Sequence, residues 1–115
     1  MKRRFRLTKS TDFKRVRSLG RSYAHPLIVL IAQSYPQETT RVAVVAGVAV
    51  GGAVVRNRIK RRLRACIAEV LPVLQPGWDL ILIARKTSGQ ASFQEIRQAV
   101  LKLLNQSGVM TAQAG

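Results

Sequence analysis

Six cations fall within nine residues, Arg56-Asn57-Arg58-Ile59-Lys60-Arg61-Arg62-Leu63-Arg64, with no acid among them. A solvated helix face normally alternates the sign of its charges, which limits self-repulsion. A run of one sign calls for a ligand carrying regularly spaced negative charge, and a nucleic-acid backbone is the common one. On a helical wheel with Ile59 at 0°, Lys60, Arg64, Asn57, Arg61, Arg58 and Arg62 cover the sector from about 100° to 300°. Arg56 lands at about 60°, on the core side, and should reach past the helix start or bond nearby carbonyls. Gly51-Gly52 stands just before this run, where bare backbone and free helix N–H groups could meet a phosphate. The spacing matches neither a P-loop nor a dinucleotide fingerprint, and a tight strand-to-helix turn explains it equally well.

A second basic block lies at the start. Residues 1–21 hold nine cations and one acid, Asp12. Phe13 sits among them, a ring that could stack on a base inside a cationic groove or pack half-buried. The acids Asp12, Glu38, Glu69, Asp79 and Glu95 are scattered, and no two share a predicted face, so a two-metal nuclease centre is not expected. One cysteine, Cys66, and one histidine, His25, exclude a disulfide and a Cys/His zinc site. No nucleophilic triad is supported. The expectation is a chain with no catalytic and no metal-ligating residues of its own.

The elements that position these residues follow from periodicity. Ser10 or Thr11 can cap a helix reaching about Ser18, with Asp12 in its first turn and Gly20 as its stop. Leu27–Gln33 reads as a strand and 34–40 as a hairpin loop, with Arg41–Val50 as a second, buried strand. A long helix to about Leu71 carries the stripe Ile59, Leu63, Cys66, Ile67, Val70 and Leu74. Trp78–Ala84 is a third strand, and Ser92 opens a last helix with Phe93, Ile96, Val100, Leu103 and Leu104 on one face. The order is α-β-β-α-β-α with a possible short strand at Arg21–Ala24, and it contains a βαβ unit. Residues 1–8 read as a flexible basic arm and 107–115 as a frayed tail of a single domain, 1–115.

With 115 residues, 47% hydrophobic content and a net charge of +15, the chain fits one globular domain with a polyanionic partner. The apolar run Val42–Val55 has 14 residues, short of the roughly 18 needed to span a bilayer. A cytoplasmic RNA-binding protein is the expectation. A ribosomal-type protein and a membrane-surface protein are its rivals.

The segment Arg56–Arg64, preceded by Gly51 and Ala53-Val54-Val55, resembles the signature of the bacterial ribonuclease P protein subunit. The resemblance extends upstream through Arg6-Leu7, Asp12–Val16 and Gly20, and downstream through Gly77–Arg85 and Phe93. It implies an α+β two-layer sandwich of αβββαβα order, with a mixed sheet and an unusual left-handed βαβ crossover carrying the basic helix. It also implies a partner, a catalytic RNA that removes the 5′ leader of precursor tRNA using Mg²⁺ bound mainly by that RNA, with the protein as a monomer within the complex. Carried over by position, Arg56, Asn57, Arg58, Lys60, Arg61 and Arg64 would face the catalytic RNA. Phe13, Arg17, Val29 and Ile31 would line the leader cleft, and Arg6 and Lys9 belong to the basic arm. Gly47, Val48 and Ala49 stand where the family usually has Ser-Lys-Lys, and Gly52 stands where it has Asn. Arg21 and Arg41 are the candidates to replace the missing charge. Arg17 and Ile31 occupy places where aromatic rings are frequent, which makes the cleft more cationic.

Overall fold

The strand-forming run Trp78–Ala84 is the centre of the molecule. The computed structural model describes residues 2–110. Its elements are α1 (Ser10–Leu19), β1 (Arg21–Ala24), β2 (Ile28–Ser34), β3 (Arg41–Val45), α2 (Ala53–Val70), β4 (Trp78–Ala84) and α3 (Phe93–Ser107). The sheet order is β1-β2-β4-β3, with β3 parallel to β4 and the other pairs antiparallel. Residues 34–40 are therefore not a hairpin loop. β4 lies between β2 and β3, because a strand apolar on both faces is best buried at the middle of a sheet.

Side-chain alternation divides the sheet into two faces. Leu30, Leu82 and Val44 form a cross-strand row on one face, and Ala32, Leu80 and Val42 form the next. Over these rows lie the buried stripes of α2 (Ile59, Leu63, Cys66, Ile67, Val70) and α3 (Ile96, Ala99, Val100, Leu103, Leu104). The other face carries the rows Ile31–Ile81–Ala43 and Val29–Ile83–Val45. Only α1 covers it. Its buried core, among the described residues, is Leu7, Val16, Ile31 and Ile81, while Phe13, Val29, Ala43, Val45 and Ile83 stay partly open.

Several boundaries differ from those read in the sequence. β3 stops at Val45, and Val48–Val50 forms a 3₁₀ turn leading to Gly51, whose φ of 151° demands glycine. The N-cap of α1 is Lys9, without a side-chain hydrogen bond, rather than Ser10 or Thr11. Ser92 does cap α3, in a reciprocal box with Glu95 (3.1 and 2.9 Å).

Within the described residues, the segments at Arg6–Leu7 and Val109–Met110 are more anchored than expected. Arg6 bridges to Val42, and Leu7 is buried, so residues 6 and 7 of the stretch read as a flexible arm are docked on the sheet. At the other end Gly108 terminates α3 in the left-handed region, and Val109 and Met110 are buried, with Met110 paired to Leu74. The frayed tail therefore does not begin at 107. Residues 111–115 lie outside the described residues.

Candidate nucleic-acid interface

The basic residues of α2 occupy its outer side because Ile59, Leu63 and Ile67 are fully buried beneath it. Asn57 and Arg61 are exposed, and Arg56, Arg58, Lys60, Arg62 and Arg64 are half-buried with their stems along the helix. Two of these arginines also hold the neighbouring turn. Arg58 Nη2 donates to the Gly89 carbonyl (3.1 Å), and Arg62 Nη1 donates to the Ala91 carbonyl (3.1 Å). They tie the Lys86–Gln90 turn to α2. Nε of Arg56 and of Arg58 is buried without a partner, so the expected bond from Arg56 to a nearby carbonyl is not made at that atom.

The start of α2 is capped by Gly52 with no side-chain bond, and its first turn carries no acid. Its free N–H groups are left to whatever ligand approaches. Val48 (80% exposed) and Val54 (78% exposed) flank this turn, so the place of the family's lysines is apolar surface here.

On the opposite face of the sheet, Phe13, Val29 and Ile31 do come together. Phe13 and Val29 are partly open, and Ile31 is only 6% exposed, so it is floor rather than wall. Arg17 is exposed on α1, and Arg6 and Lys9 are exposed in the segment before it. Gly20, the residue that ends α1, sits tightly between that helix and β2: a Cβ there would lie 2.5 Å from the Val16 carbonyl oxygen of α1 and 2.7 Å from Ile31 Cγ2 of β2.

One cluster escaped the sequence reading. The row Gln33–Asp79–Arg41 crosses three strands beneath α1, and Asp79 is completely buried. Arg41 grips Asp79 with Nε to Oδ1 (2.9 Å) and Nη2 to Oδ2 (2.8 Å). Arg15 of α1 donates to Oδ2 (2.5 Å) and to Gln33, and Gln37 donates to Oδ1 (2.8 Å). Asp12 completes the pairing of both arginines at 3.3 and 3.4 Å. The Tyr35 ring lies 3.9 Å from Arg15 and 5.8 Å from Arg41. Burial alone would raise the Asp79 pKa, but the hydrogen bonds from Arg41, Arg15 and Gln37 outweigh it and hold the carboxyl below its usual range. The Arg15 and Arg41 pKa values rise for the complementary reason, the hydrogen bond to Asp79. The signal was present in the sequence: a lone acid in the apolar strand WDLILIA, in phase with Ile81 and Ile83. Arg41 is therefore engaged internally and cannot replace the missing lysines, whereas Arg21 is exposed beside Tyr23.

Neither remaining candidate for chemistry is poised for it. Burial pushes the Cys66 thiol up to about 11, and burial followed by the charge of Lys102 lowers His25, whose Nδ1 accepts from the Leu27 N–H.

The family model for ribonuclease P matches residues 1–108. The ribonuclease P protein component of Herpetosiphon aurantiacus is 40% identical over 107 residues, covering 93% of this chain and 87% of its own length. That of Bacillus velezensis is 39% identical over 110 residues, covering 95% and 94%. Among solved structures, the RNase P protein of Staphylococcus aureus superposes with a TM-score of 0.85 at 25% identity, over 93% of this chain and 98% of that one. The RNase P protein of Thermotoga maritima gives 0.80 at 26% identity, over 88% and 96%. With its basic helix, half-covered sheet and near full-length matches, the chain belongs to the ribonuclease P protein family.

Proposed function

We propose that this protein, a component of the tRNA-processing nuclease ribonuclease P, works by binding two RNAs at once. The outer face of α2 takes the catalytic RNA through Arg56, Asn57, Arg58, Lys60, Arg61 and Arg64. The groove of Phe13, Val29 and Ile31, edged by Arg17, takes the single-stranded 5′ leader of precursor tRNA. Arg6 and Lys9 add charge between them. The observation that carries this reading is the opposition of a cationic, acid-free stretch of α2 (Arg56–Arg64) to a partly open apolar face on one small sheet.

Neutralising phosphates where two polyanions meet lowers their repulsion, so less Mg²⁺ is needed to hold them together. The donor set does not suit that ion on the protein. Among the described residues no three His, Cys, Asp or Glu side chains cluster, and Asp12 and Asp79 already face Arg15 and Arg41. In this reading Mg²⁺ stays with the RNA and the chain catalyses nothing by its own side chains. It acts as a monomer within a cytoplasmic complex, and no helix among the described residues is long and apolar enough to cross a membrane.

The test is cleavage of a 5′-leader precursor tRNA by a bacterial ribonuclease P RNA at low Mg²⁺, with and without this protein. Cleavage only in the combined reaction is expected. RNA binding without any stimulation across several bacterial ribonuclease P RNAs would instead favour a ribosomal-type role.

A further inference from the structure

β3 is an edge strand, and its outer side is only partly paired. The Leu7 N–H donates to the Val42 carbonyl across that edge (3.0 Å), and Arg6 pairs with Val42. The N–H and C=O of a strand residue point to one side and alternate along the chain. The peptide groups of Val44 therefore face the same outer side as those of Val42. The N-terminal segment does not follow them, since α1 begins at Ser10. What remains is a cavity of about 190 Å³ lined by Arg6, Thr8, Val44 and Arg64, with Leu7 and Val42 as apolar floor. No acid lines it. Among the described residues, neither Arg6 nor Arg64 donates a side-chain hydrogen bond or forms a salt bridge, in contrast to Arg15, Arg41, Arg58 and Arg62.

We infer that this notch is a binding site for one phosphodiester group of an RNA strand, held between the Arg6 and Arg64 guanidinium groups. The Val44 N–H and the Thr8 hydroxyl are the neutral donors. Two planar forks, a hydroxyl and an edge amide match the several acceptor oxygens of a phosphate. The site gives Arg6 and Arg64, which come from the two separate basic blocks of the sequence, a single shared ligand. It deepens the proposed RNA-binding role and rests on it.

The experiment measures Kd against salt for the full chain, Arg6→Gln, Arg64→Gln and the double variant. A bacterial ribonuclease P RNA and a 5′-leader precursor tRNA are titrated separately. Because each neutralised phosphate contributes about 0.7 to 0.9 to the log–log slope, the double variant is expected to lose about that much in total. The loss should appear with one of the two RNAs, and that RNA owns the phosphate. A loss near twice that value would mean two independent contacts and would overturn the shared site, as would no loss with either RNA. A flat slope for the unmodified chain would instead remove RNA binding as a whole, which is a different pattern. The Arg6→Lys/Arg64→Lys pair keeps charge but not fork geometry. It should keep the slope and bind several-fold more weakly, and unchanged affinity would reduce the notch to diffuse charge.

Discussion

Asp79 is the residue on which the placement of α1 depends. It is fully buried, and the side chains of Arg15 and Arg41 that clasp it keep about a fifth of their surface in water (20% and 23%). Removing its charge leaves two guanidinium groups facing a neutral amide beneath a helix. Asp79→Asn is expected to cost about 3 kcal/mol in urea denaturation, the lower end for a broken buried pair because the arginines remain partly solvated. The same pairing sets a pH dependence. Its folded pKa lies below the ordinary carboxylate value, so its stabilisation is complete above about pH 4 and drains away as pH falls through the folded pKa. Unfolding free energies from pH 6 down to 2 should fall more steeply for the unmodified chain than for Asp79→Asn. At the opposite face, Arg58 and Arg61 separate structure from charge. Arg61→Ala should leave stability within about 0.5 kcal/mol, since Arg61 is exposed and unbonded. Arg58→Ala should lose about 1 kcal/mol with its bond to Gly89. Thermal melts of the two variants check the difference. A loss of cleavage in Arg61→Ala is therefore the cleaner report on RNA contact.

Between elements, the groove exists because α1 covers the sheet incompletely. At Gly20, just past its end, the Val16 carbonyl oxygen of α1 and Ile31 Cγ2 of β2 leave no room for a methyl group. Gly20→Ala must push α1 away from β2 or shift Ile31. The expected cost is about 1–3 kcal/mol, together with a smaller preference for precursor over mature tRNA, because the spacing of Phe13 from Val29 changes. Competition binding with both tRNAs measures this, and an unchanged ratio would mean that α1 does not border the leader. The Lys86–Gln90 turn shows a second use of the basic helix. By accepting from Arg58 and Arg62, the carbonyls of Gly89 in this turn and of Ala91 just after it fix a loop against α2.

At the scale of the whole molecule, a formal charge of +15 is carried on a body with a radius of gyration of 13.1 Å. That is the size expected of a folded chain of this length, about 13 Å. Self-repulsion at this density opposes compaction, and salt screens it. Raising ionic strength from low to moderate values should therefore raise Tm by about a few degrees, even as it weakens RNA binding. A Tm that fell with salt would show that the Asp12–Arg15–Asp79–Arg41 pairing outweighs the surface repulsion. The core that resists the repulsion lies almost wholly on the α2–α3 side, and the thinner α1 side can remain open to a ligand.

Local pattern was enough to read much of this protein. The spacing of Ile59, Leu63, Cys66 and Ile67 determined both the buried stripe of α2 and, by exclusion, the cationic face. The run Trp78–Ala84 and the Ser92 cap were legible because strand and helix-start signals lie within a few residues. The signature Arg56–Arg64 carries the family resemblance in nine consecutive residues, with no reference to the fold. Pairing between distant segments was not legible. Nothing near residues 34–40 shows that β4 will enter between β2 and β3, because the competing partner lies some forty residues downstream. For the same reason Asp12 and Asp79 read as scattered acids, although Arg15 and Arg41 join them once α1 crosses the sheet. The docking of Leu7 and of Val109–Met110 likewise depends on surfaces, the β3 edge and Leu74, that exist only after the chain has folded. Charge, periodicity and caps are properties of neighbouring residues and survive in one dimension, whereas strand order and the partner of a buried charge are set by which distant surfaces meet.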